Sequence, residues 1–443
     1  MSERPSESGS ASSSRGGYSR SAKRQAQHET AHSADDDVSE AAGALSVDGA
    51  LVFRGPPELV QTQDALEALL GRLRATGSFA YDSEFIGEAS YTPKLCLVQI
   101  ATTTEVALVD PLARVDLTPF WKLLCEPAVE KIVHAGQQDV EPVVRLTGGG
   151  PGNVFDTQIA AGFCGLTYPV ALAKLVGELI GAKLGKSMTF TQWDARPLSQ
   201  TQLRYAADDV RYLPALRAEL VRRMKLRGHF ERAKVEFEAL CEPTQYQFDP
   251  NRYIHRVRGS SSLTPNQMRV LRELVVWRDG AARRADLPAR AFLKDEVLVD
   301  LSRSPVKSVD RLEKVRGLPR PVEMQEGDAI VAATERGLVA PPVPGLVEER
   351  NDEPTPSQKF QADALWSACQ ALCHSEGIDP QLVTSRQELG KLAYAAAIGR
   401  AVPADVSLMT GWRREVVGDR LVEMLGAGGE VRMCWSGGVP RGG

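Results

Sequence analysis

Four acidic residues and one tyrosine stand in segments whose spacing suits metal-dependent chemistry. Asp82 and Glu84 lie two residues apart in the apolar run FAYDSEF, which predicts a strand. Because side chains alternate along a strand, both carboxylates project from one face. Charges in an apolar strand are costly unless they are paired or bind metal, and carboxylate oxygens suit Mg²⁺ or Mn²⁺. Two exposed acids at a sheet edge would give the same sequence pattern, so this pair alone does not establish a metal site.

Two later segments carry the other candidates. Asp139 follows a glycine in KIVHAGQQDV, where a strand runs into a helix, and a helix N-terminus by itself also favours an acid. Tyr205 and Asp209 are four residues apart in the helical run LRYAADDVRYL, so they share one helical face. Asp208 lies about 100° away around the axis, so only the four-residue spacing selects Asp209. Each segment alone has an ordinary structural explanation, but the three together indicate one site.

The three segments resemble the three motifs of the DEDD superfamily of 3′–5′ exonucleases, in its tyrosine-bearing subclass. DSEF is similar to the first motif, HAGQQDVE to the second and YAADD to the third. The flanking segments YTPKLCLVQIA, VFDTQIAA and WDARPLSQTQLRYAADDVRYL resemble the ribonuclease D family more closely than the proofreading domains of DNA polymerases. The resemblance implies an α/β, ribonuclease H-like exonuclease domain with a mixed sheet.

The resemblance also implies two divalent metal ions, Mg²⁺ or Mn²⁺, as cofactors. Asp82 would bridge both ions, Glu84 and Asp209 would bind the ion on the side of the attacking water, and Asp139 would bind the other, through water. Two such ions activate the water and stabilise the departing 3′ oxygen. Tyr205 would orient the water, because a phenol with an ordinary pKa near 10 is a poor base at neutral pH.

His134 lies in the second segment, close to Asp139, and invites a role as general base. The tyrosine subclass does not use a histidine there as its base. We therefore predict a packing or hydrogen-bonding role for His134.

The elements that must position these residues alternate between short strands and helices. Apolar runs predict strands over 79–85, 95–101, 105–110 and 131–135. Helical spacing of apolar residues predicts helices over 64–73, 170–180 and 201–224. Beyond this region the apolar spacing is helical only, in two stretches of similar length that resemble HRDC domains, the helical modules shared by RecQ-type helicases and ribonuclease D.

We predict seven segments along the 443 residues. They are a disordered Ser/Arg-rich tail (1–45), the exonuclease domain (50–226), a linker (227–262), a first helical unit (263–340), a linker (341–357), a second helical unit (358–431) and a flexible tail (432–443). Between residues 358 and 430 there are 7 basic and 9 acidic residues, so we expect the second helical unit to pack against the other domains or to close a ring around the active site.

The formal net charge of −4 argues against a polyanionic partner, but its distribution is uneven. Between residues 252 and 322 there are 16 basic and 8 acidic residues. A cluster of this kind can neutralise several phosphates. We predict that the nucleic-acid contacts are Arg252, Arg256, Arg258, Arg278, Arg283 and Arg284. The alternative is a solvated surface whose charges form internal ion pairs.

Composition narrows the class of protein further. Hydrophobic residues make up 43% and charged residues 25%, which are ordinary globular values. No apolar stretch approaches the roughly 18 residues of a membrane span, and the N-terminus has no signal-peptide pattern. The seven cysteines do not form a disulfide framework. We expect a reduced, soluble, cytoplasmic protein.

The leading hypothesis is a 3′–5′ exoribonuclease that releases nucleoside 5′-monophosphates from RNA, most of all from tRNA precursors with 3′ extensions. The expected partner is RNA, with no membrane and no obligate protein partner. A DNA 3′–5′ exonuclease is the first alternative, because the same metal chemistry cleaves DNA. A catalytically inactive RNA-binding scaffold is the second, although such a protein would be expected to have lost one or more of the carboxylates.

Overall fold

The computed structural model describes residues 51–87, 89–185, 191–343, 355–399 and 406–426, and the backbone of residues 433–436 and 439–442. The predicted tail over 1–45 lies outside the described residues, as does most of the linker predicted over 341–357.

A mixed sheet forms the centre of the N-terminal α/β domain. Its strands in the described residues are β1 Glu58–Val60, β2 Ser78–Ile86, β3 Lys94–Ala101, β4 Val106–Val109, β5 Glu130–Val133 and β6 Val154–Asp156. Their order across the sheet is β1-β4-β3-β2-β5-β6. The central strand β2 pairs antiparallel with β3 and parallel with β5, which confirms the predicted mixed sheet.

Helices cover the sheet and form the rest of the chain. In the α/β domain and the segment after it they are α1 Gln63–Thr76, α2 Thr118–Cys125, α3 Gln137–Thr147, α4 Thr157–Gly162, α5 Leu172–Ile180, α6 Gln200–Arg211, α7 Leu213–Arg227, α8 Phe230–Cys241 and α9 Pro250–Tyr253. The first helical unit contains α10 Pro265–Arg284, α11 Ala289–Phe292, α12 Asp295–Arg303 and α13 Arg320–Val339. The second contains α14 Pro356–Glu376, α15 Pro380–Val383, α16 Arg386–Ala397, α17 Gly411–Arg413 and α18 Asp419–Leu425.

Short 3₁₀ segments join several of these elements. They lie at Pro111–Ala113, Pro243–Gln245, Ile254–Arg256, Ser260–Ser262, Val309–Lys314 and Ser407–Met409, and Arg414–Gly418 forms a π-helical turn. At the C-terminal end, β7 Met433–Ser436 and β8 Val439–Gly442 pair antiparallel. The backbone of these two strands forms a hydrogen-bonded ladder, and the flexible tail predicted over 432–443 stays a prediction.

The two helical units bury their apolar faces in different ways. The first unit has a core of its own, built from residues such as Leu271, Leu274 and Leu298. Residues of the second unit instead continue the core of the α/β domain, where the ring of Trp412 lies 4.9 Å from that of Phe163. The expectation that the second unit packs against another domain is thus confirmed.

Polar contacts reinforce this packing of the second unit. The Trp412 indole donates to Glu236 on α8 at 2.7 Å, and Arg413 binds both oxygens of the same carboxylate at 2.7 and 2.8 Å. His229 donates from Nε2 to the Glu376 carbonyl at 2.8 Å. Helix α8 therefore serves as a docking element for the second unit.

Two predicted elements need correction, and two short strands were not predicted. The irregular linker predicted over 227–262 contains the 12-residue helix α8, because Ala233 and Phe237 are spaced for one face and are buried in the shared core. The single helix predicted over 201–224 divides at Tyr212, before Pro214 in the first turn of α7. Strands β1 and β6 are three residues each, too short for a period-2 pattern to reveal them.

The described helices include none that is both long and apolar enough to cross a membrane.

Candidate active site

Strand β2 and helix α3 bring three of the predicted acids together. Asp82 and Glu84 lie on β2, where Asp82 is opposite Gln99 of β3, and a bulge follows Glu84. Ser83 donates a hydrogen bond to the carboxylate of Asp139 in the first turn of α3. A second bond from β2, from the Tyr81 hydroxyl to the Asp139 carbonyl, measures 2.8 Å. The N-terminus of α3 is therefore tied to the strand that carries the other two acids.

A tight turn between β5 and α3 sets the position of Asp139. Ala135 has a φ of 55°, in the left-handed region, and a Cβ on Gly136 would come within 2.5 Å of the Val133 side chain. The carboxylate of Asp156 accepts from the amides of Ala135 and Gly136 at 3.1 and 3.0 Å. This buried acid holds the turn in its uncommon conformation.

Helix α6 supplies the tyrosine and the fourth acid. Asp209 lies one turn beyond Tyr205, and burial together with the charge of Asp209 raises the pKa of the Tyr205 phenol. Asp208 turns away and pairs with Arg211 at 2.8 Å. The four-residue spacing therefore selects the acid that faces the tyrosine, as helical geometry requires.

The start of α6 is held by contacts with the sheet and by its own cap. Ser199 and Gln202 form a capping box. Just before it, Arg196 binds both oxygens of Asp110 at 2.7 Å and donates to the Cys96 carbonyl at 2.7 Å. These bonds fix the entry of α6 over β3 and β4, and so the direction of the Tyr205 side chain.

Burial raises the pKa of all four acids, and the charges of neighbouring acids add to the rise at Asp82 and Glu84. Burial raises the pKa of Asp82 well above its ordinary value, and the charges of Asp139, Asp209 and Glu84 add to this effect. Burial and the charges of Asp209 and Asp139 raise the pKa of Glu84 to about 8. Burial raises the pKa of Asp209 to about 7 and that of Asp139 to about 6, against opposing hydrogen bonds from Tyr205 and Ser83 respectively.

Comparison with known proteins agrees with this arrangement. A family model described as 3′-5′ exonuclease matches residues 57–225, and an HRDC domain model matches residues 267–334. The ribonuclease D of Gluconacetobacter diazotrophicus is 34% identical over 83% of this chain and 92% of its own length. That of Bartonella henselae is 31% identical over 83% and 89%. The chain belongs to the ribonuclease D family.

A solved structure supports the same assignment for the fold. Escherichia coli RNase D, described as an exoribonuclease involved in structured RNA processing, superposes with a TM-score of 0.70 at 28% identity. The match covers 84% of this chain and 99% of that protein. The present family member is accordingly a 3′–5′ exoribonuclease with an HRDC domain in its first helical unit. The HRDC assignment of the second unit stays a prediction.

The donor set of this ribonuclease D fits a hard divalent cation. Four carboxylates share the site, and neither Lys nor Arg is among the groups that shift their pKa. Like charges held together out of water need a counter-charge, and carboxylate oxygens suit Mg²⁺. Within the described parts of the chain, no three His, Cys, Asp or Glu side chains are already grouped closely enough to hold an ion.

His134 has two hydrogen-bonded ring nitrogens. Its Nδ1 lies 2.9 Å from the Thr157 hydroxyl, and its Nε2 donates to the Val170 carbonyl at 3.0 Å. Burial lowers its pKa, which keeps the ring neutral. The predicted hydrogen-bonding role is confirmed, and a ring engaged on both sides is not available as a base.

The predicted RNA contacts divide into two groups. Arg252, Arg256, Arg258, Arg283 and Arg284 are exposed. Arg278 is only 1% exposed and binds Asp295 at 2.8 Å and the Leu293 carbonyl at 2.9 Å. The prediction that Arg278 contacts RNA is therefore wrong, because its guanidinium is enclosed in the core of the first helical unit.

Several exposed arginines also have acidic partners, as the alternative interpretation anticipated. Arg284 pairs with Glu326 at 2.9 Å, Arg283 with Asp279 at 3.2 Å, and Arg252 with Asp249 at 3.7 Å. Part of the local positive charge is thereby neutralised. RNA binding by these exposed residues stays a prediction.

Sequence reasoning missed the residues that orient the acids. Gln99 is fully buried on β3, its amide nitrogen 3.5 Å from Glu84, and its oxygen has no hydrogen-bond partner in the described structure. Ser83 and Asp156 act on α3, as described above. The available signal was a polar residue inside an otherwise apolar strand, LCLVQIA for Gln99 and VFD for Asp156, which is costly without a partner.

Proposed function

We propose that this ribonuclease D removes nucleotides one at a time from the 3′ ends of structured RNA, with tRNA precursors that carry 3′ extensions as its main substrates. The products are nucleoside 5′-monophosphates. The observation that carries the proposal is the convergence of Asp82, Glu84, Asp139 and Asp209 beside Tyr205, with pKa values that burial raises and that neighbouring acids raise further at Asp82 and Glu84.

The four carboxylates are the residues that would hold two divalent cations, Asp82 toward both. When bound, such ions supply an activated water and neutralise charge on the departing 3′ oxygen. Burial raises the pKa of Tyr205, so its phenol stays protonated at neutral pH. The oxygen of the protonated phenol can accept a hydrogen bond from the attacking water. Tyr205 thus orients that water, and Gln99 on β3 supports the orientation of Glu84.

Two further observations favour RNA as the substrate. The Escherichia coli relative is described as acting in structured RNA processing, and it aligns over nearly its whole length. Arg256 and Arg258 are exposed, and neither side chain forms an ion pair within the described residues, so both are available for phosphates.

The six cysteines of the described chain are unpaired, which suits the reducing cytoplasm in which we place the enzyme.

A digestion experiment tests the proposal. Full-length protein is incubated with a tRNA that carries a labelled 3′ extension, with Mg²⁺, with Mn²⁺ or with EDTA. We expect stepwise loss of mononucleotides from the 3′ end that depends on the cation. Asp82→Asn should abolish it, whereas Asp208→Asn, a matched change at an acid that faces Arg211, should retain it.

The same assay separates the alternatives. A matched DNA 3′ end that is degraded faster than the RNA end would favour a DNA exonuclease. Absence of hydrolysis on every RNA and DNA end, by a folded protein with either cation, would favour a binding scaffold. Activity in Asp82→Asn would contradict the assignment of the site.

A further inference from the structure

Residues of the first helical unit form hydrogen bonds with one tyrosine of the active-site domain. Tyr91 lies between β2 and β3, and its hydroxyl donates to Asp279 of α10 at 2.7 Å. Arg283, one turn further along α10, donates to the same hydroxyl at 3.0 Å and lies 5.0 Å from the centre of the ring. The Tyr91 amide donates to Asp286, just after α10, at 3.1 Å. Three residues of one domain thus hold both the side chain and the backbone of a single residue of the other.

Tyr91 belongs to the wall of a cavity that adjoins β2 and α3, although none of the four acids lines it. Residues 91–93 line a space of about 360 Å³ together with Phe85, Gln138, Glu141 and Arg145. Phe85 directly follows Glu84 on β2, and Gln138 directly precedes Asp139 on α3. One side of this cavity is therefore built on the elements that carry the acids, and the other side on the segment held by the first helical unit.

The chemistry of the cavity suits a nucleotide. Phe85 and Tyr91 offer aromatic surface for a base, and Arg145, which pairs with Glu141 of the same lining at 3.3 Å, offers a cation for a phosphate. A nucleotide in such a space reacts only when it is held close to the attack geometry, and a small displacement lowers the rate. The position of the wall at residues 91–93 thus bears on the chemical step.

We propose that Asp279, Arg283 and Asp286 are positioning residues, which act through Tyr91 to fix one wall of the nucleotide cavity, so that the first helical unit contributes to catalysis independently of any contact with RNA. The proposal rests on the nuclease activity proposed above. It assigns a local role to acidic residues of a unit whose expected role is to bind a polyanion through its basic ones.

The charge of Asp279 makes the proposal testable. Asp279→Ala removes a negative charge from the basic unit, so a role limited to RNA binding predicts equal or tighter binding. Loss of the hydrogen bond to Tyr91 predicts the opposite, a decrease in activity. Tyr91→Phe removes the same bond from the other side and keeps the aromatic ring in the cavity wall.

We would measure kcat and KM for Tyr91→Phe, Asp279→Ala and the double variant, on an RNA pentanucleotide and on a tRNA with a 3′ extension. We expect kcat/KM to fall roughly 5- to 20-fold, which is the size of effect that the loss of one such hydrogen bond can produce. The factor should be similar on both substrates, and most of the decrease should be in kcat. The double variant should have the same kcat/KM as the less active single variant, because both substitutions remove the same hydrogen bond. Arg320→Ala is the control, since this exposed arginine of the same unit pairs with Glu323.

Hydrogen–deuterium exchange gives a readout that does not depend on activity. In Asp279→Ala, exchange at residues 89–93 should become faster, while β3 and α3 keep their protection. Near-wild-type kcat/KM in both single variants, additive losses, a loss confined to the tRNA substrate, or unchanged exchange at residues 89–93 would each overturn the proposal. If the wild-type protein hydrolyses no RNA, the proposed function fails, and the exchange measurement still judges the contact.

Discussion

The carboxylates of the active site and the carboxylate of Asp295 are both removed from solvent, but they have different neighbours. Asp295, in the first helical unit, accepts hydrogen bonds from the guanidinium of Arg278 at 2.8 Å and from the amide of Arg258 at 3.1 Å, and it pairs with Arg290 at 3.0 Å. Each of its oxygens therefore has partners of opposite polarity. Asp82 has as its charged neighbours the acids Asp139, Asp209 and Glu84.

The pKa values record this difference. Burial alone would raise the pKa of Asp295, but the bonds from Arg258 and Arg278 outweigh it and hold the pKa below its ordinary value. Burial raises the pKa of every acid in the active site, and the charges of other site acids add to the rise at Asp82 and Glu84. An acid that pairs with arginines of the same unit stabilises the fold. Acids that face one another have no counter-charge until a cation binds. The comparison separates a structural site from a functional one without reference to any relative.

The largest expected effect is at Asp82. Asp82→Asn should lower kcat/KM on RNA by about 10³-fold or more, because the acid faces all three others and its loss removes transition-state stabilisation. In EDTA the variant should be at least as stable as the wild type, since a repulsive charge is gone. Urea unfolding followed by circular dichroism checks the second point. A variant that loses activity because it unfolds would contradict the comparison.

The next effect is at Asp295. Asp295→Ala leaves the buried Arg278 without its acidic partner, so the first helical unit should be destabilised by about 3–5 kcal/mol. Urea unfolding followed by hydrogen exchange in α10 measures this loss. Asp300→Ala is the matched control, because Asp300 lies on the same helix and is half exposed at 3.7 Å from Arg303. If the two variants were equally stable, the Arg278–Asp295 pair would not be a structural site.

A smaller effect is expected from cations on the wild-type protein. Mg²⁺ at 100 times its dissociation constant should stabilise the fold by about 2.7 kcal/mol, because it binds the folded carboxylates. The shift should be measured as an increase in Tm relative to EDTA. It should be absent in Asp209→Asn and present in Asp208→Asn, since Asp208 faces Arg211 instead. An equal increase in both variants would mean that the ion binds elsewhere.

The smallest effect concerns pH. Because the folded pKa of Asp295 lies below its unfolded value, its stabilisation is complete above the ordinary aspartate pKa of about 4 and is lost as the pH falls through the folded value. The difference in unfolding free energy between wild type and Asp295→Asn should thus narrow as the pH falls from 6 to 3, by up to about 1 kcal/mol, because each pH unit below the unfolded pKa removes at most about 1.4 kcal/mol. A difference that stays constant over this range would show that the carboxylate charge is not what stabilises the unit.

Much of the site could be predicted from local rules. Period-2 alternation placed Asp82 and Glu84 on one strand, and the spacing of four selected Asp209, which the structure turns toward Tyr205. The mixed sheet and the helical C-terminal half followed from the change in apolar period along the chain. These properties depend on residues within one or two turns of each other, so a sequence shows them directly.

Other properties depended on residues far apart in the chain. A run of arginines predicted an RNA-binding surface, but nothing near Arg278 indicated that Asp295 encloses it. Helix α8 looked like linker because its partners, such as Trp412 and Arg413 for Glu236, lie more than 170 residues away. Local composition cannot report a partner that only folding supplies.

By itself, the sequence determined the chemistry: which acids share a strand or helical face, which tyrosine accompanies them, and which segments are helical. The tertiary structure decided which charged side chains form ion pairs inside the fold and which stay exposed to substrate. It enclosed Arg278, joined the second helical unit to the α/β core, and set Tyr91 between Asp279 and Arg283. The reason is physical, since the effect of a charge depends on the dielectric and the partners around it, and both arise from packing between distant segments.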